Sequence, residues 1–293
     1  MGARIGRPGR NWRVVVYRAK RIVESYDTPV TLRQLFYRLV ANGTLENTRS
    51  CYNALSSNTA EARREGWFPR LADNTSRIER PSSWDSPDAA LSALLDQYRR
   101  DHTEGQAYNV YLGNEKDGQV AQLKSWFGND LGVPIVALGG YGSQGYFDVI
   151  KDAVASDPRP AVLLYAGDFD PSGEDIGRDF AKRTACWEEV RQIALTDGQV
   201  AEFDLSRNIV IKAERRAPAF CERYGLDCRP AGFTAKDVQK YEYQQIELDA
   251  LDPNDLRALY QAGVDEFWDA DAYQASLAQE TTDRADLSRR IAS

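Results

Sequence analysis

The chain has 293 residues, 42% hydrophobic and 11% aromatic, so it can bury a real core and is not a disordered chain. Its four cysteines (Cys51, Cys186, Cys221, Cys228) include no CxxC pair, and the single histidine, His102, excludes a histidine-rich metal site and argues against a Ser-His-Asp triad. The net charge of −7 is unevenly divided: residues 1–80 carry 15 Lys/Arg against 7 Asp/Glu and the remainder 22 against 37, which suggests a basic face that meets a polyanion.

Residues 11–26 predict a helix, broken at Asp27-Thr28-Pro29. Thr31 is a plausible N-cap for a helix over 32–41, and Asn42-Gly43 ends it. A third helix over 48–65 is rich in Asn, Ser and Arg, and Trp67-Phe68-Pro69 begins a short wing or strand. Residues 1–80 therefore predict a mostly α, winged helix-turn-helix DNA-binding domain, with Arg33, Arg38, Arg63 and Arg64 as DNA contacts. A plain three-helix cap on a larger core is the alternative.

Residues 79–88 are Pro- and Ser-rich, so 81–105 is expected to be a linker followed by a helix over 87–101. Strand and helix then alternate: strand 108–114, helix 117–128, strand 134–139, helix 144–155, strand 161–166, helix 173–189, strand 191–195. This order predicts an α/β domain over 106–251, a Rossmann-like parallel sheet with flanking helices. Residues 244–251 fit a short strand or helix start, and 253–268 and 271–290 fit a C-terminal helical tail over 252–293. No apolar run reaches 18 residues and no secretory leader is apparent, so a cytoplasmic protein with no membrane partner is expected.

Two apolar runs end in acids. YLGN leads into Glu115, and VLLYAG leads into Asp168-Phe169-Asp170. In parallel sheets ligands gather at the carboxyl ends of strands. Two carboxylates at one strand tip repel, raising the pKa of at least one, and Mg²⁺ with oxygen ligands removes that repulsion. Glu115, Asp168 and Asp170 are thus the candidate ligands of Mg²⁺, one ion or two, with Lys116 and Gly173 supporting. The plain alternative is a good Asp-Pro-Ser-Gly turn with Glu115 as a surface acid. An EF-hand loop beginning at Asp168 is disfavoured because a strand, not a helix, precedes it. Gly140-Tyr141-Gly142-Ser143-Gln144-Gly145 matches GxGxxG, so a dinucleotide is one reading; glycines that let the backbone approach phosphate or metal is the other.

On the helix 32–41, at about 100° per residue, Leu32, Leu35, Phe36, Leu39 and Val40 form an apolar stripe, and Tyr37 lies roughly 130° from its centre. Arg33 sits one turn earlier on the same side. An off-core tyrosine under an arginine suits phosphate chemistry, the arginine holding the phosphate that the phenol attacks. An amphipathic interface tyrosine is the alternative.

These segments resemble the A subunit of type IIB DNA topoisomerases (topoisomerase VI) and the related meiotic break-forming proteins, compact forms of which occur in bacteria and phages. The family's T-x-R-[DE]-[IL]-[FY]-Y is similar to Thr31-Leu32-Arg33-Gln34-Leu35-Phe36-Tyr37, its E-K-D to Glu115-Lys116-Asp117, and its D-x-D-P-x-G to Asp168-Phe169-Asp170-Pro171-Ser172-Gly173. Glu247-Leu248-Asp249-Ala250-Leu251 is similar to a later family segment. The resemblance implies a winged-helix domain joined to a Toprim domain, a 5′-phosphotyrosyl link formed by Tyr37, a phosphate held by Arg33, and Mg²⁺ on Glu115, Asp168 and Asp170. It also implies a homodimer, in which the metal of one subunit serves the tyrosine of the other, and a separate ATPase subunit. Gln34 departs from the family's acid. The rival readings are a Toprim nuclease with water as nucleophile, a non-catalytic DNA-binding module, and a dinucleotide-binding protein.

Overall fold

Three helices open the chain, each started by a side-chain cap. In α1 (Trp12–Val23) the Asn11 side chain accepts from the Val14 N–H, and Val15, Val16, Ala19 and Val23 are buried. In α2 (Leu32–Ala41) Thr31 and Gln34 form a reciprocal capping box. In α3 (Arg49–Arg64) Thr48 caps Cys51, and Cys51, Leu55, Thr59 and Ala62 face inward. The computed structural model describes residues 11–72, 81–139, 143–205 and 207–292. After α3 the chain buries Phe68 and Leu71, and Ala72 forms one parallel bridge with Thr31. Residues 67–72 form no strand beyond that bridge, and 73–80, on which the expected wing also falls, lie outside the described residues.

α4 (Pro87–Gln97) precedes an alternating segment: β1 (Asn109–Asn114), α5 (Asp117–Leu123), a π-helical turn (Lys124–Gly128), the single turn α6 (Asn129–Leu131), β2 (Ile135–Ala137), α7 (Gln144–Ala155), β3 (Ala161–Ala166), α8 (Pro171–Thr184) and β4 (Glu189–Ala194). The four strands are all parallel in the order β2-β1-β3-β4. Every residue of β1 and β3 is buried, as central strands of a parallel sheet covered on both faces require. On one face Tyr111, Leu163 and Tyr165 pack with Phe147 and Ile150 of α7 and Ile176 and Phe180 of α8. The mixed α/β class is as expected. The helix expected over 173–189 stops at Thr184, where Ala185 turns left-handed and Trp187 folds back, donating to Thr184 Oγ1 at 2.7 Å and meeting the Tyr111 ring.

Beyond β4 come α9 (Asp197–Glu202), β5 (Asn208–Lys212), α10 (Ala217–Tyr224), β6 (Cys228–Phe233) and β7 (Gln239–Gln245). The last three strands form a second, antiparallel sheet in the order β5-β7-β6, which the sequence pattern does not reveal. Its residues are mostly half-buried or exposed on both sides, so no apolar alternation marks it. A 3₁₀ turn (Leu248–Ala250) leads to α11 (Pro253–Asp265) and α12 (Ala270–Ala292).

α11 does not trail away from the body. Leu256, Tyr260 and Val264 join one core with Val110, Leu112, Val162 and Leu164 of the sheet and with the α1–α3 bundle. The N-terminal helices and the sheet therefore share buried apolar surface. Tyr260 is fully buried, and its hydroxyl donates to the Gly113 carbonyl at 2.6 Å and accepts from Asn114 Nδ2 at 3.3 Å. Tyr260→Phe leaves a buried carbonyl short of its partner and should cost about 1–3 kcal/mol in a urea unfolding series at constant m-value.

Candidate functional site

Parallel pairing of β1 with β3 aligns Asn114 with Ala166, so the acids that follow the two strands emerge side by side. The Glu115 N–H donates to the Ala166 carbonyl, and the Asp168 N–H donates to Glu115 Oε2 at 2.8 Å. Asp170 is the N-cap of α8, accepting from the Ser172 and Gly173 N–H groups at 2.9 and 2.7 Å. Gly173 is required by close approach: a Cβ there would lie 2.4 Å from the Asp168 carbonyl oxygen and 3.0 Å from Glu115 Oε2. Two backbone hydrogen bonds between Phe169 and Ile246 dock the exit of β7 on the same loop, and the Leu248 N–H donates to Asp168 Oδ1 at 2.8 Å.

The sequence-predicted acids thus come together, each with one oxygen fixed by a backbone N–H. Lys116 lies among them, its ammonium bonded to Asp168 Oδ2 and 3.9 Å from Glu115 Oε1. Burial, then the Asp168 charge, pushes the Glu115 carboxyl up to about 7. Burial also raises Asp170, and it raises Asp249, behind the cluster, to about 6. Among the described residues no group of three or more His, Cys, Asp or Glu side chains is arranged to hold a metal ion. The donor chemistry nevertheless suits a hard cation: Glu115 Oε1, Asp168 Oδ2 and Asp170 Oδ2 are the oxygens that the backbone donors leave, and the Lys116 ammonium stands at the first two.

Tyr37 is not on an open polar face. It is 5% exposed, because the Ile246–Asp252 segment covers the side of α2 opposite the apolar stripe. The Tyr37 hydroxyl donates to Glu247 Oε2 at 3.2 Å and accepts from Asn208 Nδ2 at 3.0 Å. Burial, then the Glu247 charge, pushes the phenol up to about 12. Arg33 does lie beside it, but its guanidinium grips both Glu247 oxygens at 2.8 Å and comes within 4.0 Å of Asp249. Its side chain remains 47% exposed.

Arg38, expected on the DNA face, points inward instead, bonded to Asp252 at 3.2 Å and to the Ala250 carbonyl, because the same segment passes its side of the helix. Gln34 is buried against α5, where its amide donates to Gln122 Oε1 at 2.9 Å; a charged acid at this position would need a cation that Gln122 does not supply. Arg63 and Arg64 are exposed on the last turn of α3. Gly140 and Gly142 lie outside the described residues.

Two clefts flank the site. One, about 410 Å³, is lined by Arg33, Phe36, Tyr37, Asn47, Arg49 and Tyr52. The other, about 310 Å³, is lined by Asp168, Asp170, Glu174, Asp197, Phe220 and Tyr224 among others. Sequence reasoning assigned no role to Glu247 and missed Asn208. Glu247 had a signal in its acidic segment, whereas Asn208 had none, standing on a strand without visible periodicity. No family model matches the chain, and no curated protein matches it.

A raised carboxylate destabilises the fold once it must ionise. Between 4.5, the ordinary value, and about 7, folded Glu115 binds more proton than unfolded Glu115, so stability falls as pH rises through this window. In chelator-treated protein, Glu115→Gln should flatten that part of a stability-against-pH curve, and an unchanged slope would remove Glu115 as its source.

Proposed function

We propose that this chain binds duplex DNA and breaks its strands in a Mg²⁺-dependent reaction in which Tyr37 attacks a phosphodiester, as the resemblance to the topoisomerase VI A subunit implies. One observation carries the reading. The Arg33–Tyr37 face of α2 and the acids at the tips of β1 and β3 belong to one hydrogen-bonded network, running from Tyr37 to Glu247 and, through the Leu248 N–H, to Asp168 and Glu115.

In this reading the α1–α3 bundle is a winged-helix-type module and the parallel sheet a Toprim-type body. α3 meets DNA with an exposed face that includes Arg49, Asn53, Arg63 and Arg64. Arg49 makes no hydrogen bond or ion pair among the described residues and lines the cleft that reaches Tyr37, so it is available to a backbone phosphate. Arg33 holds the phosphate charge next to the phenol, sharing its guanidinium with Glu247. Glu115, Asp168 and Asp170 would hold Mg²⁺, which when bound supplies charge stabilisation at the phosphoryl oxygens. Asp170 also anchors the start of α8 through its cap.

A second reading has specific support. Tyr37 is buried and bonded on both sides, which also suits a packing role, and the acids alone would then serve a nuclease with water as nucleophile. Incubating the chain with supercoiled plasmid and Mg²⁺, quenching with detergent and digesting half with protease separates the two. The tyrosine reading expects protein-linked 5′ ends that vanish in Tyr37→Phe and in Asp168→Asn. Free ends that survive Tyr37→Phe support the nuclease. Binding without cleavage under any divalent ion supports a non-catalytic module. Asp170→Asn is preferred to Asp170→Ala, because loss of the cap alone costs about 1 kcal/mol.

The DNA face has its own check. Replacing Arg63 and Arg64 with Glu should weaken binding to plasmid fragments and lower the slope of log K against log salt by about one for each phosphate no longer neutralised. An unchanged slope would move the DNA away from α3.

A further inference from the structure

The geometry points to Glu247 as the general base that takes the phenolic proton of Tyr37, within one chain. The inference rests on the reading of Tyr37 as a nucleophile, but it has a readout that needs no DNA.

The direction of the proton is set by its neighbours. Asn47 Nδ2 donates to Asn208 Oδ1, which leaves the Asn208 amide nitrogen to donate to the Tyr37 hydroxyl at 3.0 Å. With a donor on its oxygen, the hydroxyl can place its own hydrogen only on an acceptor, and the acceptor within reach is Glu247 Oε2 at 3.2 Å. Arg33 fixes that carboxylate through both oxygens, Nε to Oε2 and Nη2 to Oε1, each at 2.8 Å. Asp249 and Asp168 lie further back in the network and make no hydrogen bond to the phenol.

Chemistry requires such a base here. With the phenol held near 12, a standing phenolate at pH 7 is about one molecule in 10⁵, so the proton has to leave as the new bond forms. The anionic carboxylate that disfavours a free phenolate is also the group placed to receive the proton in a concerted step. The balance is complete. The Tyr37 oxygen bonds to phosphorus, the P–O3′ bond breaks, and the phenolic proton passes to Glu247. The departing 3′ oxygen takes a proton from water, and the hydroxide left behind is neutralised by the proton on Glu247.

The test uses the full chain and a small phosphorus electrophile, diisopropyl phosphorofluoridate, which phosphorylates a phenol with fluoride leaving. Labelling of the Tyr37 peptide is followed by mass spectrometry, with Tyr37→Phe as blank. Glu247→Gln keeps the shape and a hydrogen-bond acceptor but not the basicity. At pH 7 it should slow labelling at least tenfold, and the residual rate should rise about tenfold per pH unit, as attack by a free phenolate does. A merely anchoring Glu247 predicts the opposite sign: removing its charge lowers the phenol's pKa and speeds labelling. Equal or faster labelling in Glu247→Gln, or no labelling of Tyr37 in the wild type, overturns the proposal. Glu247→Asp serves if the amide variant does not fold. It keeps the charge and draws the carboxylate back, so slower labelling is expected and an unchanged rate again overturns the assignment. If labelling behaves as expected while plasmid incubation yields no protein-linked ends, Glu247 stands as the base and DNA cleavage by Tyr37 falls.

Discussion

The segment from Ile246 to Asp252 is the seam on which the site depends. Ile246 is bonded to Phe169 on the acid loop, and the Leu248 N–H holds Asp168. Glu247 meets Arg33 and Tyr37, Asp249 accepts from Gln119, and Ala250 and Asp252 receive Arg38. These polar contacts set position more than stability. Arg33 is half exposed, and pairs of that kind contribute roughly 1 kcal/mol or less. The stabilising part is apolar: Leu248 and Leu251 are buried in the core shared by α2 and the sheet, each contributing on the order of 1.5–3 kcal/mol. Hydrophobic burial closes the seam, and the charged groups on its rim fix its register.

The acids at the strand tips pull the other way. Glu115, Asp168, Asp170, Glu247 and Asp249 crowd one region, and three of them sit above their ordinary pKa because burial has removed their water. Lys116 and Arg33 offset part of this, and Lys212, bonded to Gln245, faces Asp170. A chain selected for stability alone would bury apolar groups here, since such a pair seldom repays its desolvation. An incoming cation, as the proposed reading requires, would have to compete with Lys116 for the same oxygens.

Much of this was legible in the chain because local rules agreed. α2 and α7 begin at strong caps, and β3 is a closed apolar run bounded by Pro160 and Gly167, so their limits match the pattern. The meeting of Glu115 with Asp168 followed from parallel topology, which puts successive strand ends on one edge. The failures have a common cause. Helical periodicity finds the face that packs on its own bundle, but Tyr37, Gln34 and Arg38 are covered by a segment more than 200 residues away in sequence or by Gln122, and nothing local announces that. The antiparallel sheet escaped for the complementary reason. Its strands leave Ile209, Ile211 and Phe233 exposed and bury few residues, so the alternation that marks a half-buried strand is absent.

The seam also bears on how many copies the chemistry needs. The resemblance implies that the acids of one subunit serve the tyrosine of another. Among the described residues the Tyr37 hydroxyl is bonded by Asn208 and Glu247, and the residue after Glu247 holds Asp168. In the proposed reading, the base for the Tyr37 proton thus lies in the same chain as the phenol. The two clefts place a different demand on the phosphate. Arg33, Arg49 and Tyr37 open to one and Asp168 and Asp170 to the other, and the Glu247–Leu248 pair joins the two sides through its bonds to Arg33, Tyr37 and Asp168. In the proposed reading, a phosphate beside Tyr37 lies in one cleft while Asp168 and Asp170 of the same chain line the other.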